Sequence, residues 1–201
     1  MEQKKRSFTK VKDSLNLKEF ESFCRRIATQ YAKSNGEYSG SYFMKAENIT
    51  RDCFYKILDE AIIRNLVSDE LVDKMEAKAI ANQKSHAANA GETSRQHYAT
   101  LRKKRNEYII CSYSDIEIKV LAGDFAESTN ETKAYFAKRN GISTSILDTL
   151  LKKAFVENIA DDDTCKKIEK RSITKDSSKR AKDFFIQLWE KRRKNKEGAL
   201  N

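Results

Sequence analysis

The chain has 201 residues, 35% of them charged, and its 40 lysines and arginines outnumber 30 acidic residues to give a formal net charge of +10. It has no proline and only six glycines, so little interrupts a helix, and we predict an all-α fold. It holds no apolar run of about 18 residues and no apolar stretch behind its charged N-terminus. We therefore expect no membrane span, no signal peptide and an intracellular, cytoplasmic protein.

The positive charge is concentrated towards the C-terminal end. Residues 164–201 hold thirteen lysines and arginines against five acids, so this segment carries +8 and only +2 remains for the rest. Such a block suits a polyanion, and nucleic acid is the commonest one inside cells. A solvated helix face is the alternative interpretation of a basic stretch.

The cysteines give no sign of a disulfide framework or a metal site. They are far apart, with no Cys-x-x-Cys pair and no histidine at ligand spacing, so we predict free, mostly packed thiols. The four are Cys24, Cys53, Cys111 and Cys165. The acidic run Asp161–Asp163 is explained by the start of a helix, whose dipole favours negative charge there, and we predict no metal.

No motif in the chain indicates catalysis. There is no phosphate-binding glycine loop and no hydrolase or metalloprotease signature. His86 and His97 lie in a polar stretch and are predicted to be solvated. We therefore predict a protein that is not an enzyme and that has no cofactor and no small-molecule substrate.

The N-terminal part of the chain begins with a polar, basic segment without periodicity, residues 1–14, which we predict to be a flexible arm. Apolar residues at three- and four-residue steps then predict an amphipathic helix over about Leu17–Ala32. Gly36 stands near the predicted end of this helix. These residues open a first module that covers 15–80.

One stretch of the chain occurs twice, since Tyr42–Ile80 aligns without a gap onto Tyr135–Ile173 at an offset of 93 residues. Average composition predicts about two or three identities, and eleven occur. The identical pairs are Tyr42/Tyr135, Phe43/Phe136, Lys45/Lys138, Ile49/Ile142, Leu58/Leu151, Ala61/Ala154, Asn65/Asn158, Asp69/Asp162, Lys74/Lys167, Glu76/Glu169 and Ile80/Ile173. Duplication explains the match better than shared lysine-rich composition.

Residues 81–112, between the two copies, are predicted to form a polar and basic helical connector, broken around Asn89–Gly91. Three roles are open for it: spanning between modules, dimerisation, or clamping DNA. The second module covers 113–173. Residues 174–201 are predicted to form a basic, aromatic C-terminal helix near Ser178–Lys194, followed by a tail.

Each copy shows the spacing of two helices joined by a tight turn. In the second copy Ala137 allows a close helix crossing, Gly141 suits a left-handed turn and Ser143 caps the next helix. Ile142 fills the gap between the two helices. The corresponding residues of the first copy are Met44, Asn48, Ile49 and Thr50.

The second helix of each copy divides into a buried stripe and an outward face. The predicted stripes are Cys53, Phe54, Ile57, Leu58 and Ala61, and Ile146, Leu147, Leu150, Leu151 and Ala154. The predicted outward residues are Arg51, Asp52, Tyr55, Lys56 and Asp59, and Thr144, Ser145, Asp148, Thr149 and Lys152. The first outward face is charged and the second is nearly uncharged.

On these residues the chain resembles the helix-turn-helix superfamily of DNA-binding proteins, over Ser39–Leu66 and Thr132–Ile159. The resemblance implies that the second helix of each copy enters a major groove. The residues it assigns to base reading are Arg51, Asp52, Tyr55, Lys56, Thr144, Ser145, Asp148 and Thr149. The residues we expect on phosphates are Thr50, Ser143, Lys152, Arg102, Lys103, Lys104, Arg105, Lys170, Arg171, Lys179, Arg180, Arg192 and Arg193.

We therefore expect a sequence-specific double-stranded DNA-binding protein, either a transcriptional regulator or a DNA-binding factor of a phage or mobile element. Two unlike reading helices favour a composite, non-symmetric site, although the second copy is also open to keeping only the fold. A further partner, a second copy of the chain or another protein, is open too. The alternative from another class is a helical adaptor or an inhibitor of a nucleic-acid enzyme that uses a basic surface. RNA binding has no supporting motif in the sequence.

Overall fold

The computed structural model describes residues 5–34, 39–83, 90–173 and 179–198. Over these ranges the chain forms eleven helices and no strand, which confirms the predicted all-α fold. None of the helices in the described ranges is long and apolar enough to cross a membrane.

The chain divides into two compact units, Met1–Ile109 and Ile110–Asn201. Unit 1 is formed by α1 (Phe8–Asp13), α2 (Leu17–Lys33), α3 (Gly40–Ala46), α4 (Arg51–Ile63), α5 (Asp69–Gln83) and α6 (Ala90–Ser112). Unit 2 is formed by α7 (Asp115–Glu127), α8 (Lys133–Arg139), α9 (Thr144–Val156), α10 (Asp162–Ser172) and α11 (Lys179–Gly198). The boundary between the units falls near the end of α6.

The helix pairs α3–α4 and α8–α9 begin and end 93 residues apart. The turn inside each pair contains a residue in the left-handed conformation, Asn48 at φ 50° and Gly141 at φ 69°. A second left-handed residue follows each pair, Asn65 at φ 55° and Asn158 at φ 59°. Glycine and asparagine adopt this conformation at the least cost, so local sequence explains all four turns.

The first long helix of each unit, α2 or α7, begins with the same reciprocal cap. The Asn16 side chain accepts from the Glu19 amide, and the Glu19 carboxylate accepts from the Asn16 amide, both at 3.0 Å. Ser114 and Glu117 make the same two bonds at 3.3 and 2.8 Å. Each reciprocal cap satisfies two amides near a helix start, so it defines where the helix begins.

Both helix pairs are held on packed cores. In unit 1, Phe54 of α4 stacks on Phe43 of α3 with ring centroids 6.1 Å apart, and Tyr31 of α2 meets Phe54 edge-on at 5.3 Å. In unit 2, Phe155 of α9 meets Phe185 of α11 edge-on at 5.8 Å. These contacts fix α4 and α9 against their neighbours.

Helix α6 belongs to the core of unit 1, which differs from the connector predicted over 81–112. Tyr98 and Leu101 are buried in that core at 6% and 3% exposure. They stand three residues apart on one face of α6, and burial of this face stabilises a helix whose other residues are mostly polar as far as Glu107. Part of the predicted break lies outside the described residues, and α6 begins at Ala90. In the same way α11, which the sequence predicts as a helix near Ser178–Lys194, buries Phe185 and Leu188 in unit 2.

The N-terminal segment packs against the rest of unit 1 over its described residues, where the sequence predicts a flexible arm. Val11 of α1 is fully buried. The amide of Arg6 donates to the Asn48 carbonyl at 2.8 Å, and the Arg6 carbonyl accepts from the Thr50 amide at 3.1 Å. This segment therefore forms a strap across the turn between α3 and α4. Periodicity does not reveal such a contact, because its two sides lie about 40 residues apart.

Candidate nucleic-acid interface

The first two turns of α4 expose one face of the helix. A cap fixes where the helix begins, and a buried stripe of side chains lies on its other face. The Thr50 side chain accepts from the Cys53 amide at 3.2 Å, so α4 begins at Arg51. The five residues of the predicted stripe are all buried, which confirms that prediction. The opposite face is exposed along its N-terminal half.

Four residues form the exposed face of α4, and we call them the outward quartet: Arg51, Asp52, Tyr55 and Lys56. Lys56 pairs with Asp52 at 3.0 Å, and the guanidinium carbon of Arg51 lies 5.8 Å from the centre of the Tyr55 ring. Both contacts join exposed residues four apart, where a pair contributes only about 0.3–0.5 kcal/mol. They orient the side chains along the helix, and stronger contacts with a bound molecule can replace them at little cost.

The exposed face ends at Asp59, which is half-buried and not outward as predicted. Its carboxylate lies 3.0 Å from Nε2 of His97 on α6, so His97 has a carboxylate partner in addition to solvent. Burial raises the pKa of Asp59, and the hydrogen bond with His97 opposes that shift. Because α6 covers this end of α4, a reading surface is limited to the outward quartet.

The second helix pair presents hydroxyl groups where the first presents charges. Ser143 caps α9 by accepting from the Ile146 amide at 3.3 Å, as predicted, and the predicted stripe is buried. The exposed residues of α9 are Thr144, Ser145, Asp148, Thr149 and Lys152. Asp148 pairs with Lys133 of α8 at 2.9 Å, so its charge is matched. The remaining face is nearly neutral.

Two arginines predicted to contact phosphates are engaged inside unit 1. Arg102 donates to Asp73 and to Glu76, each at 2.7 Å. Arg105, whose side chain is 12% exposed, pairs with Asp69 at 2.5 Å. These bonds join α6 to α5, so both guanidiniums are satisfied without nucleic acid.

Two further predicted phosphate contacts are engaged inside unit 2. Arg192 is 2% exposed, and its guanidinium donates to Asp162 at 2.8 Å and to the carbonyls of Phe155 and Ala160 at 2.9 and 2.7 Å. These carbonyls lie at and after the end of α9, where a helix leaves acceptors unpaired. Arg171 donates to carbonyls at and beyond the end of α7, and burial lowers its pKa. Both arginines stabilise the fold of unit 2.

An arginine binds the start of the helix that follows each helix pair, α5 or α10. Asp69 and Asp162 are identical at the offset of 93, and each is bound by an arginine of the last helix, Arg105 or Arg192. From the sequence, the helix dipole alone explains the acidic run that contains Asp162. The structure adds a side-chain partner, which sequence spacing does not show because α6 and α11 align at a different offset.

The other predicted phosphate contacts lie on the surface or cap helices. The exposed residues are Lys103, Lys104, Lys152, Lys170, Lys179 and Arg193. Arg180 lies in α11, and its side chain is outside the described part of the structure. Thr50 and Ser143 use their hydroxyls as caps. Phosphate binding by these residues stays a prediction.

The thiols are free, and three of them are buried: Cys24, Cys53 and Cys165. Burial raises the pKa of Cys24 to about 12 and that of Cys165 to about 11, which keeps both thiols protonated and unreactive. Cys111 is exposed. Within the described residues, no three side chains of the metal-binding types group together.

Comparison with known proteins assigns no family to the chain. No protein-family model, no curated protein and no solved structure matches it.

Proposed function

We propose that the protein binds double-stranded DNA with sequence specificity and that α4 reads bases in the major groove. The observation that carries this proposal is the outward quartet, exposed on the first two turns of a capped helix that follows a left-handed turn. Side chains near the start of a helix are those that reach base edges when the helix enters a major groove.

The quartet has the chemistry that base reading needs. An exposed guanidinium such as that of Arg51 can donate two hydrogen bonds to the O6 and N7 atoms of guanine. Asp52 can accept from the amino group of cytosine once Lys56 turns to a phosphate. The Lys56–Asp52 pair is exposed, with 53% and 71% of the two side chains accessible, so this exchange costs little.

The scaffold behind the quartet is rigid. Six residues of α4 are buried, the helix is capped by Thr50, and the strap formed by Arg6 bonds to the turn before it. Sites on rigid elements place their side chains more accurately than sites on loops. The quartet is therefore in place before any DNA arrives.

Affinity is expected to come from the exposed lysines and arginines. The chain carries a net charge of +10, and neutralising phosphates releases counterions, so binding should weaken steeply with salt. Because α9 presents hydroxyls in place of charges, we expect it to read a different DNA sequence or to contribute less to sequence selection. Such a protein would act inside the cell, as a transcriptional regulator or as a DNA-binding factor of a phage or mobile element.

The proposal is tested by fluorescence-anisotropy titration of the full chain against random and selected duplexes at several salt concentrations. Arg51→Ala should lower discrimination at one base pair by roughly 1–3 kcal/mol. Arg25→Ala is the matched control, because Arg25 is an exposed arginine of α2 and its loss removes the same charge. If the two variants lose affinity alike for every duplex, α4 does not read bases.

A protein-binding adaptor is the second candidate, and one observation favours it. Ile116 and Val120 of α7 stand four residues apart and are 77% and 57% exposed. Exposed apolar side chains on one helix face suit a protein partner. Under this alternative the chain binds no duplex selectively, and Arg51→Ala has no effect on nucleic-acid binding.

A further inference from the structure

Unit 2 contains a cavity of about 450 Å³ whose walls come from α8, α9, α10 and α11. Ligand sites in proteins typically have volumes of about 300–1,000 Å³ and are lined by apolar and aromatic side chains with a few polar groups. This cavity has that size and that composition. Its apolar wall is made of five buried residues of unit 2: Leu151, Phe155, Ile168, Phe185 and Leu188.

Three phenylalanines make part of the wall aromatic. The ring of Phe185 meets Phe155 edge-on with centroids 5.8 Å apart, and it meets Phe184 edge-on at 5.6 Å. Phe184 also lines the cavity and is 45% exposed, although it is large and apolar. A ligand that covers Phe184 removes apolar surface from water, and a ligand ring gains the further attraction between aromatic groups.

The rim of the cavity carries a net positive charge. Among the described residues that line it, the charged ones are Lys133, Asp148 and Lys152, two cations against one anion. Lys133 binds Asp148 at 2.9 Å, so the charge of Asp148 is already matched. Lys152 is exposed. Its ammonium group can therefore bind an anion at the mouth of the cavity through a charge-assisted hydrogen bond.

In unit 1 the corresponding helices are tied together at this place. Lys152 aligns with Asp59 at the offset of 93, and Phe184 takes the place of His97 when α11 and α6 are aligned on the arginine that binds α10 or α5. Asp59 and His97 lie 3.0 Å apart and join α4 to α6. Lysine and phenylalanine cannot form that bond. The two units therefore differ at two residues that line the cavity of unit 2.

Wall, rim and volume together define the chemistry of an occupant. The apolar wall disfavours a wholly polar molecule, because polar groups buried there lose their hydrogen bonds to water. The positive rim disfavours a cation and favours one anionic group. The volume equals that of about 15 water molecules at roughly 30 Å³ each, which accommodates one or two aromatic rings with a short side chain. A small aromatic acid satisfies each condition.

We propose that unit 2 binds a small aromatic acid in this cavity. The ring packs against Phe184 and Phe185, and the anionic group binds the ammonium of Lys152. The site goes beyond the proposed function, because filling it requires no nucleic acid.

Isothermal titration calorimetry of the full chain with phenylbutyrate tests the site, and its neutral amide, phenylbutanamide, is the matched probe. The acid should bind saturably, and the amide should bind roughly tenfold more weakly because it lacks the charge. Lys152→Gln should weaken binding of the acid roughly tenfold and leave that of the amide unchanged. Lys138→Gln, which changes an exposed lysine of α8 that does not line the cavity, should alter neither affinity.

The aromatic wall is tested by Phe184→Ala. This variant should bind the acid and the amide more weakly by the same factor, roughly tenfold, because both probes carry the ring. Ile186→Ala is the control, since Ile186 is 56% exposed on the same helix and does not line the cavity. Denaturant titration of each variant confirms that it is folded.

Each result bears on the proposal. No saturable binding of phenylbutyrate overturns it. Equal losses for acid and amide in Lys152→Gln, or an equal loss in Lys138→Gln, overturn the role of Lys152. Equal affinities of the Phe184→Ala and Ile186→Ala variants place the binding outside this cavity and overturn the site. Because no titration contains DNA, these outcomes are independent of whether α4 reads bases.

Discussion

The two helix pairs have the same backbone and present different chemistry. α3–α4 and α8–α9 have equal lengths, a left-handed residue at the same point of the turn and a hydroxyl cap before the second helix. The first pair presents charges and an aromatic ring, and the second presents hydroxyls. Turn, cap and core are therefore enough to specify the pair, and its surface is free to change.

The turns of the two pairs are also supported differently. Before α4, the Glu47 carbonyl accepts from Arg6 at 2.9 Å, and the Glu47 carboxylate binds Arg26 through two bonds at 2.8 and 3.1 Å. Before α9, the equivalent residue is Asn140, whose side chain donates to the Phe136 carbonyl of its own helix at 2.9 Å. The first turn is tied to two other segments, which restrains the quartet that follows it.

Arg192→Ala should have the largest effect, confined to unit 2. It removes three hydrogen bonds, including the one to the buried Ala160 carbonyl, so the free energy of unfolding of unit 2 should fall by roughly 2–4 kcal/mol. Trp189 is the only tryptophan of the chain and lies in α11, so its fluorescence during denaturant titration reports unit 2.

Two control variants sharpen this prediction. Arg193→Ala changes an exposed neighbour and should leave the Trp189 transition within about 0.5 kcal/mol of wild type. Arg105→Ala alters the corresponding bond in unit 1 and should not move that transition. Equal stability of the Arg192→Ala and Arg193→Ala variants would contradict a structural role for Arg192 and return it to the candidate phosphate contacts.

Gly141→Ala should have a smaller effect on the same transition. No atom lies within 4 Å of an added Cβ at this position, so the cost comes from the left-handed conformation and should be about 1–2 kcal/mol. Gly141→Asn should cost only a few tenths of a kcal/mol, because Asn48 holds the same conformation in unit 1. Equal costs for alanine and asparagine would show that the turn does not require this conformation.

Acid should lower the stability of unit 2 more than that of unit 1. This effect should be smaller than those of Arg192→Ala and Gly141→Ala. Hydrogen bonds from Lys196 and Arg192 lower the pKa of Asp162, whereas burial raises the pKa of Asp59 in unit 1. A carboxyl group with a lowered folded pKa stabilises the fold above its unfolded pKa and loses that contribution as pH falls. A group with a raised folded pKa contributes most at low pH and loses that contribution as pH rises.

The acid effect should therefore develop below about pH 4, near the ordinary pKa of aspartate. Denaturant midpoints from Trp189 fluorescence at neutral and acid pH measure it for unit 2. Asp162→Asn should reduce the difference between the two midpoints. Asp163→Asn, which changes an adjacent carboxylate that is 88% exposed, should not. The same pH dependence in both variants would exclude Asp162 as its source.

The parts of the fold that depend on neighbouring residues could be predicted from the sequence. Apolar spacing predicts α2, α4 and α9, and the residue types at 48, 141 and 143 predict two turns and a cap, because each involves contacts within three or four residues. The exposed positions of α4 and α9 follow from the same spacing. Asp59 is the exception, because α6 covers it.

Long-range contacts could not be predicted in this way. The bonds of Arg192 to Phe155 and Ala160 join residues 37 and 32 apart, and a charged residue in sequence looks the same whether it faces solvent or a buried carbonyl. For the same reason the sequence predicts a polar connector where α6 packs into the core, and a flexible arm where Arg6 forms the strap. The partner of the exposed residues stays a prediction, because exposure alone does not specify a ligand.

Base reading by α4 is tested by transferring its exposed residues to α9. A variant with Thr144→Arg, Ser145→Asp, Asp148→Tyr and Thr149→Lys gives α9 the outward quartet of α4. Duplexes selected from a random pool by the wild-type chain should contain the sequence read by α4 once, and those selected by the variant should contain it twice. Selection of the same sequence by both chains, or no selection by either, would contradict base reading by α4.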